Sequence, residues 1–364
     1  MRVRRAWVAL LLLLTLCTPA HASMLKYQSE LPLSYAQGFS VSCYHGGYRL
    51  IDVSEGGRYL IVPEGMPVPD ALKGDIIVLQ QPIERIYLAA TSAMSLFDAL
   101  DALPSIRLSG TQASGWTVDN AILAMERGEI LFAGKYSEPD YELMLKQGCE
   151  LAIESTMILH APKVKEMIEL LGIPVFVDRS SYEQHPLGRA EWIKLYGALL
   201  GKEDEAEAFF ANQASAVEAL SGLENTEKRV AYFSIRQDGT VTLRNPQDYV
   251  PRMIEIAGGR YVFDHIEGTS GSSFTMTMEE FYATAMEADY LIYNAAIDVE
   301  PKDLADLLAK SELLSDFRAV REGNVWCAGK RFYQATDIMG EMILDMHRMM
   351  TDGEGAMTFL YPLK

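Results

Sequence analysis

The chain has 364 residues, with 32 Lys+Arg against 50 Asp+Glu, a formal charge of −18 and 49% hydrophobic residues. That length exceeds one ordinary core and predicts about two lobes, and the composition excludes disorder, a collagen-like repeat and a disulfide-dense mini-domain. The acidic balance argues against nucleic acid, which needs a basic stripe, and against anionic membrane surfaces.

Residues 1–22 read as an export leader. Arg2, Arg4 and Arg5 form a basic n-region, Ala6 to Leu16 an apolar run, and Ala20-His21-Ala22 a small-residue cleavage site. The run is 11 residues long, too short for a bilayer that takes roughly 20. Cleavage after Ala22 leaves 342 residues and removes three Arg and no acid, so the mature charge is −21. Cys17 offers an alternative, a lipid anchor, although Leu16 stands where lipoproteins carry a small residue. The expected location is the periplasm, or the cell surface if Cys17 is lipidated. Cys43, Cys149 and Cys327 form no CxxC pair and read as small buried hydrophobes.

Residues 23–81 read as a small antiparallel β-meander, with alternating runs at 39–43, 48–53 and 59–62 around His45-Gly46-Gly47 and Glu55-Gly56-Gly57. A Pro/Gly-rich loop follows over 63–74. From residue 82 strand and helix alternate. A strand at 85–89 precedes Thr91-Ser92, the expected N-cap of a helix reaching Leu103. Then come a strand at 106–108, a helix at 118–127, a strand at 130–132, a short helix at 139–146, a strand at 150–153, a helix from Pro162 and a strand at 174–177. Trp192, Leu195, Tyr196 and Leu199 recur at helical spacing up to Gly201. A longer helix opens near Lys202, with Glu203, Asp204, Glu205 and Glu207 at its positive dipole end. The alternation resumes with strand 229–235, helices 249–257 and 278–285, strand 289–293, helix 301–310, strand 324–327 and helix 337–350. The fold class predicted is α/β: two Rossmann-like lobes with mostly parallel sheets, over 82–200 and 223–364, joined by one long helix over 201–222 and preceded by the meander.

No GxGxxG opening a helix, GxxxxGK[ST], GxSxG or HExxH is present, and His45, His160, His185, His265 and His347 lie far apart. No catalytic residue, metal ligand or resident cofactor is assigned, and the chain is expected not to be an enzyme. Open parallel sheets bind ligands at the loops after strand C-terminal ends. In the first lobe those loops carry Ser92, Lys135, Tyr136, Glu154, Ser155, Arg179, Tyr182 and His185; in the second, Arg236, Tyr293, Arg331 and Tyr333. Arginine forks suit anionic oxygens and aromatic faces suit flat ligands. Each residue also has a plainer reading: tyrosines as core rim, Glu154 as a helix cap, Lys135 and Arg179 as solvated charges.

Several stretches carry a resemblance: Pro82 to Leu88, Gly134-Lys135-Tyr136 with Pro139-Asp140-Tyr141-Glu142, Gly172-Ile173-Pro174-Val175, Leu199 to Ala206, and Met253 to Gly259. In order and spacing, over roughly residues 76–350, the chain resembles the substrate-binding proteins of iron-complex and cobalamin ABC importers. The resemblance implies capture of a metal chelate between lobes, small closure about the bridging helix, and delivery to a permease driven by a cytoplasmic ATPase. It implies permease docking through Glu142 and Glu255, and a monomer. The cargo expected is an iron-bearing, siderophore-like chelate, with haem second and cobalamin third; for haem, Tyr182 and His185 (and Tyr136) are the candidate axial donors. An enzyme on the same architecture, such as a chelatase, is the rival from another class, and an adhesion or sensor module a third.

Overall fold

The computed structural model describes residues 25–70, 72–220, 225–267, 271–296, 299–351 and 355–364. The leader and Cys17 lie outside these residues. Three sheets are present among them. The first contains β1 (Tyr27–Glu30), β2 (Phe39–Tyr44), β3 (Arg49–Val53), β4 (Gly57–Val62) and β5 (Ile76–Gln80), in that order. The second lobe-forming unit runs β6 (Ile86–Leu88), α1 (Met94–Ala99), β7 (Ile106–Ser109), α2 (Asp119–Glu126), β8 (Leu131–Phe132), α3 (Tyr141–Lys146), β9 (Leu151–Ser155), α4 (Pro162–Leu170) and β10 (Val175–Asp178). Its sheet is wholly parallel, in the order β10-β9-β6-β7-β8.

Two helices, α5 (Pro186–Leu200) and α6 (Glu203–Glu218), then carry the chain to the other lobe. That lobe comprises β11 (Lys228–Ile235), β12 (Val241–Arg244), α7 (Tyr249–Ile256), β13 (Gly259–Tyr261), β14 (Ser273–Met276), α8 (Met278–Ala285), β15 (Tyr290–Asn294), α9 (Leu304–Leu308), α10 (Arg318–Glu322), β16 (Val325–Ala328), α11 (Met339–Thr351) and β17 (Leu360–Pro362). Its sheet is mixed, in the order β14-β12-β11-β15-β16-β17 with β13 beside β11. The two-lobed α/β expectation therefore holds, with antiparallel strands confined to the margins of the second lobe.

Local chemistry explains these boundaries. Gly201 stops α5 by adopting φ +71°, where its N–H bonds back to the Gly197 carbonyl. Thr277 and Glu280 form a reciprocal capping box that opens α8. β6, β10 and β15 are buried along their whole length, as strands covered on both faces must be.

Two expectations are corrected. Thr91-Ser92 do not cap α1: it begins at Met94 without a side-chain cap and ends at Ala99, and the Ser92 hydroxyl instead donates to Asp178. The N-terminal segment is no pure antiparallel meander, because β5 runs parallel to β4 with Val78 opposite Leu60. The segment is also built into the main core. Phe39, Val41, Ile51, Val53, Tyr59 and Ile61 share one face of the sheet and enter the main core, with the Phe39 ring 5.2 Å from Trp192 on α5.

α5 explains that fusion. Every residue of it except Leu200 is buried, as befits a helix enclosed on all sides. One continuous core reaches from the first sheet through α5 into the second lobe. The polar groups that α5 takes inside are used to hold the N-terminal segment. Glu191 accepts the backbone N–H groups of Ser34, Tyr35 and Ala36 at 2.9, 2.7 and 2.8 Å. Just before the helix, Glu183 accepts from Gly38 N and Trp192 Nε1 at 2.8 and 3.0 Å. Lys194 lies between Glu191 and Glu207, at 3.2 and 2.9 Å. Buried charges persist where they are paired and hydrogen-bonded in this way.

Candidate functional site

All five strands of the first lobe's sheet point the same way, so their C-terminal loops form one edge, facing the second lobe above α5. At the β10 end, Tyr35, Gln184 and His185 oppose Gln247, Asp248, Arg252 and Glu255 across a cavity of 280 Å³. An adjoining cavity of 270 Å³ is walled by Ser181, Tyr182 and Gln184 against Asn245, Gln247 and Ser272. At the opposite end, Ser95, Thr117 and Asn120 face Arg331, Gln334 and Asp337 around 250 Å³. A larger hollow, 750 Å³, lies between α1 and α2 and is lined wholly by the first lobe. The cleft is the better candidate because both lobes and the strand ends wall it.

The structure sorts the expected residues. Ser92 is held by Asp178, a buried carboxylate that also accepts from the Ser180 hydroxyl at 2.6 Å and the Tyr196 hydroxyl at 2.5 Å. Lys135 is exposed and paired with Glu138 at 3.3 Å, while Tyr136 is half-buried against the outer core of the lobe. Their turn needs glycine: Gly134 has φ +78°, and a Cβ there would strike the Glu138 carbonyl. Ser155 caps the following turn by accepting from Met157 N at 3.3 Å. Glu154 caps nothing. It is fully buried, neither carboxyl oxygen has a hydrogen-bond partner, and desolvation pushes its pKa up to about 8.

Arg179 and Tyr182 form a pair on the rim. The Arg179 guanidinium lies 4.9 Å from the Tyr182 ring centroid and reaches Glu55, on the β3–β4 turn, at 2.6 Å. That cation is thus committed to the first sheet. Tyr182 is 61% exposed and borders the cavity. His185 caps α5: its Nδ1 accepts from Leu187 N at 3.2 Å, and its ring stacks on Tyr35 at 4.6 Å. Desolvation, reinforced by the nearby Arg252 charge, lowers its pKa to about 4, so the ring is neutral at pH 7. With Nδ1 accepting, the proton sits on Nε2, and the cleft meets an N–H donor rather than a lone pair. His185 in this arrangement is no axial donor to iron.

In the second lobe, Arg236 is exposed on the β11–β12 hairpin beside Asp238 at 3.8 Å, and Arg331 is exposed over the Phe359 ring at 5.5 Å. Tyr333 is half-buried; its hydroxyl accepts from Asn294 Nδ2 at 2.9 Å. Tyr293 does not reach the cleft. It is fully buried between Phe233 and Lys310, because side chains alternate along β15 and it is the next residue, Asn294, that turns toward Tyr333. Glu142 is exposed in the first turn of α3, and Glu255 is exposed on α7, bonded to Arg252 at 2.7 Å. Sequence reasoning passed over Gln334 and Asn120, which face each other across the cleft. Only the approach of the lobes brings them together, and nothing in their spacing announces it. Among the described residues no group of His, Cys, Asp or Glu is arranged to hold a metal ion.

A family model described as periplasmic binding protein matches residues 96–331. The chain belongs to that family. The match starts inside α1 and ends at Arg331, so it takes in both lobes and the cleft and leaves the first sheet outside. An uncharacterized lipoprotein of Methanocaldococcus jannaschii is 24% identical over 351 residues, covering 89% of this chain and 80% of the relative. The fold is shared with the periplasmic haem-binding protein HutB of Vibrio cholerae, at a TM-score of 0.59 and 15% identity, over 74% of this chain and 98% of that one. It is shared equally with an ABC-type Fe3+-hydroxamate transport system protein of Saccharomonospora viridis, at 0.56 and 19%, over 74% and 93%. As a periplasmic binding protein the chain captures a solute and does not transform it. No described helix is long and apolar enough to cross a membrane.

Proposed function

We propose that this periplasmic binding protein is the capture component of an ABC importer, taking a ferric, siderophore-like chelate between its lobes and presenting it to a membrane permease with a cytoplasmic ATPase. The observation that carries this reading is the cleft itself, whose walls supply an aromatic side chain, Tyr182, at one end and a cationic one, Arg331, at the other, from loops of both lobes. Haem and cobalamin are the second and third cargoes on the same mechanism; for haem, Tyr182 is the remaining axial donor on the rim. Glu142 and Glu255, one exposed acid on each lobe, are the permease contacts. The protein acts as an exported monomer, either cleaved after Ala22 or lipid-anchored at Cys17.

Intrinsic fluorescence tests this directly. Trp116 Nε1 donates to Ser109 Oγ at 3.1 Å, one residue from Thr117 in the cleft wall, which places a reporter beside the site. Saturable submicromolar quenching by one ferric chelate, with no response to its iron-free form, is expected. Flat titrations with ferric siderophores, haemin and cobalamin alike would discard the reading.

A further inference from the structure

Three carboxylates meet at the end of the cleft away from β10, and none of them has an ion-pair partner among the described residues. Asp98 on α1 and Asp119, the first residue of α2, belong to one lobe; Asp337, in the turn leading into α11, belongs to the other, and all three border the same 250 Å³ cavity. Asp98 accepts from Asn120 Nδ2 at 2.9 Å. The cation in the cavity wall, Arg331, is exposed and lies over the Phe359 ring at 5.5 Å, beyond ion-pair distance of all three.

A second observation is independent of that charge. Ser95, 3% exposed on α1, lines the cavity, and its hydroxyl has no hydrogen-bond partner. Asp337 Oδ1 is equally buried and without a partner, as is the hydroxyl of Thr336, the fully buried residue before it. Unsatisfied oxygens thus stand on both sides of the lobe boundary, where buried polar atoms are ordinarily bonded. Burial pushes the Asp337 carboxyl up to about 6, so it is still mostly ionised at pH 7. The Ser95 hydroxyl, near it but outside hydrogen-bond geometry, and Arg331 act to lower that value, and Asp98 acts to raise it.

A group that satisfies these oxygens has to bring donors and positive charge. A bare metal ion does not fit, because no three acidic, histidine or cysteine side chains converge at ligand distance among the described residues. A primary ammonium does, since it offers three donors and no acceptor on a flexible stem. We propose that this end of the cleft is a subsite for a primary ammonium group, with Asp98 and Asp337 sharing its charge across the lobe boundary and the Ser95 hydroxyl accepting one of its hydrogen bonds. The inference rests on the chelate reading above and narrows it to cargo that ends in a free amine. Charge-assisted bonds outdo neutral ones, and the sheltered position strengthens them. An acylated amine carries no charge and turns a carbonyl toward the carboxylates, so the subsite also rejects it. Because its walls come from α1 and from the turn before α11, an ammonium seated there joins the two lobes.

The test uses the mature protein and two variants, Asp337→Asn and Ser95→Ala. Fluorescence titrations compare a linear ferric trihydroxamate ending in a free primary amine with the same chelate after N-acetylation. Melting temperatures are read in n-pentylammonium chloride against sodium chloride at equal concentration. Wild type should bind the free amine about tenfold or more tightly than the acetylated chelate, and D337N should discriminate by less than about threefold. S95A removes one hydroxyl from α1 and should cut the preference about threefold; it supplies the reading if D337N fails to fold. Pentylammonium should raise the wild-type melting temperature above its value in sodium chloride, and less so in the variants. Equal binding of the two chelates by wild type, or a preference that both variants keep whole, overturns the proposal and leaves the cavity to water. If neither chelate binds wild type, the ferric-chelate reading fails separately. The pentylammonium salt then decides the subsite: a rise that shrinks in the variants keeps it for another amine, and no rise, or a rise the variants retain, removes it.

Discussion

Gln334 holds Thr117 across the cleft. Its Oε1 accepts from both the backbone N–H and the hydroxyl of Thr117, at 2.7 and 2.9 Å, while its Nε2 donates to the Gly115 carbonyl at 2.8 Å. One amide side chain thus joins the loop after β7 to the turn after β16, and the donor and acceptor roles of both its ends are fixed by backbone partners. No equivalent side-chain bond joins the lobes at the β10 end among the described residues. Side-chain hydrogen bonds thus tie the cleft at one end only among the described residues.

Cutting this tie with Gln334→Ala removes three hydrogen bonds and is expected to cost about 1–3 kcal/mol. Hydrogen exchange at residues 111–117 should accelerate while the strands of both sheets stay protected. Unchanged exchange in that loop would show that the lobes are held together by other contacts.

The N-terminal segment depends on one carboxylate. Glu191→Ala leaves the N–H groups of Ser34, Tyr35 and Ala36 without their acceptor and removes one of the two acids beside Lys194. A loss of about 3–5 kcal/mol is expected, with proteolysis beginning in residues 25–38. Exposed Glu205→Ala on α6 serves as the control and should stay within about 0.5 kcal/mol of wild type.

A buried carboxyl and a half-buried imidazole give pH dependences of opposite sign. Glu154 has its folded pKa raised to about 8 from 4.5. Its neutral form suits the folded state, so the stability associated with it is present below pH 4.5 and declines as pH rises toward 8. The span is on the order of a few kcal/mol. Glu154→Gln, which stays neutral throughout, should flatten that decline in urea titrations at pH 5 and pH 8. For His185 the folded pKa is lowered to about 4 from 6.5. Its contribution is present above pH 6.5 and is lost as pH falls toward 4, and His185→Asn should remove that acid-side loss. A Glu154→Gln profile parallel to wild type would show that the carboxyl is solvated.

The assignment of the two functional surfaces separates cleanly by experiment. Tyr182→Ala and Arg331→Ala should weaken chelate binding about tenfold or more without lowering the melting temperature, since both side chains are exposed. Charge reversal of Glu142 together with Glu255 should abolish uptake, and reversal of Glu142 alone, outside the cleft, should reduce uptake while leaving binding intact. Normal uptake by that double variant would place the permease contact elsewhere.

Much of this molecule was legible along the chain. The runs at 85–89 and 174–177, the helix-stopping Gly201 and the acidic start of α6 obey local rules of periodicity, left-handed glycine and helix dipole, and these depend on neighbours a few residues away. Loop position after parallel strands likewise singled out Tyr182 and Arg331, which border cavities between the lobes. Side-chain direction and pairing could not be read the same way. Tyr293 and Asn294 are adjacent, yet strand alternation buries one and turns the other toward Tyr333. Arg179 looked available until the β3–β4 turn brought Glu55 to it, 124 residues away. The first sheet looked separate until α5, buried on every side, received its apolar face. Gln334 and Thr117 come together only because two lobes close over that helix. The sequence determined the elements and their order, because those follow from local chemistry. Tertiary structure decided which charges are paired, which are buried and which line the space between the lobes, because those depend on contacts between segments more than a hundred residues apart, along which no local pattern runs.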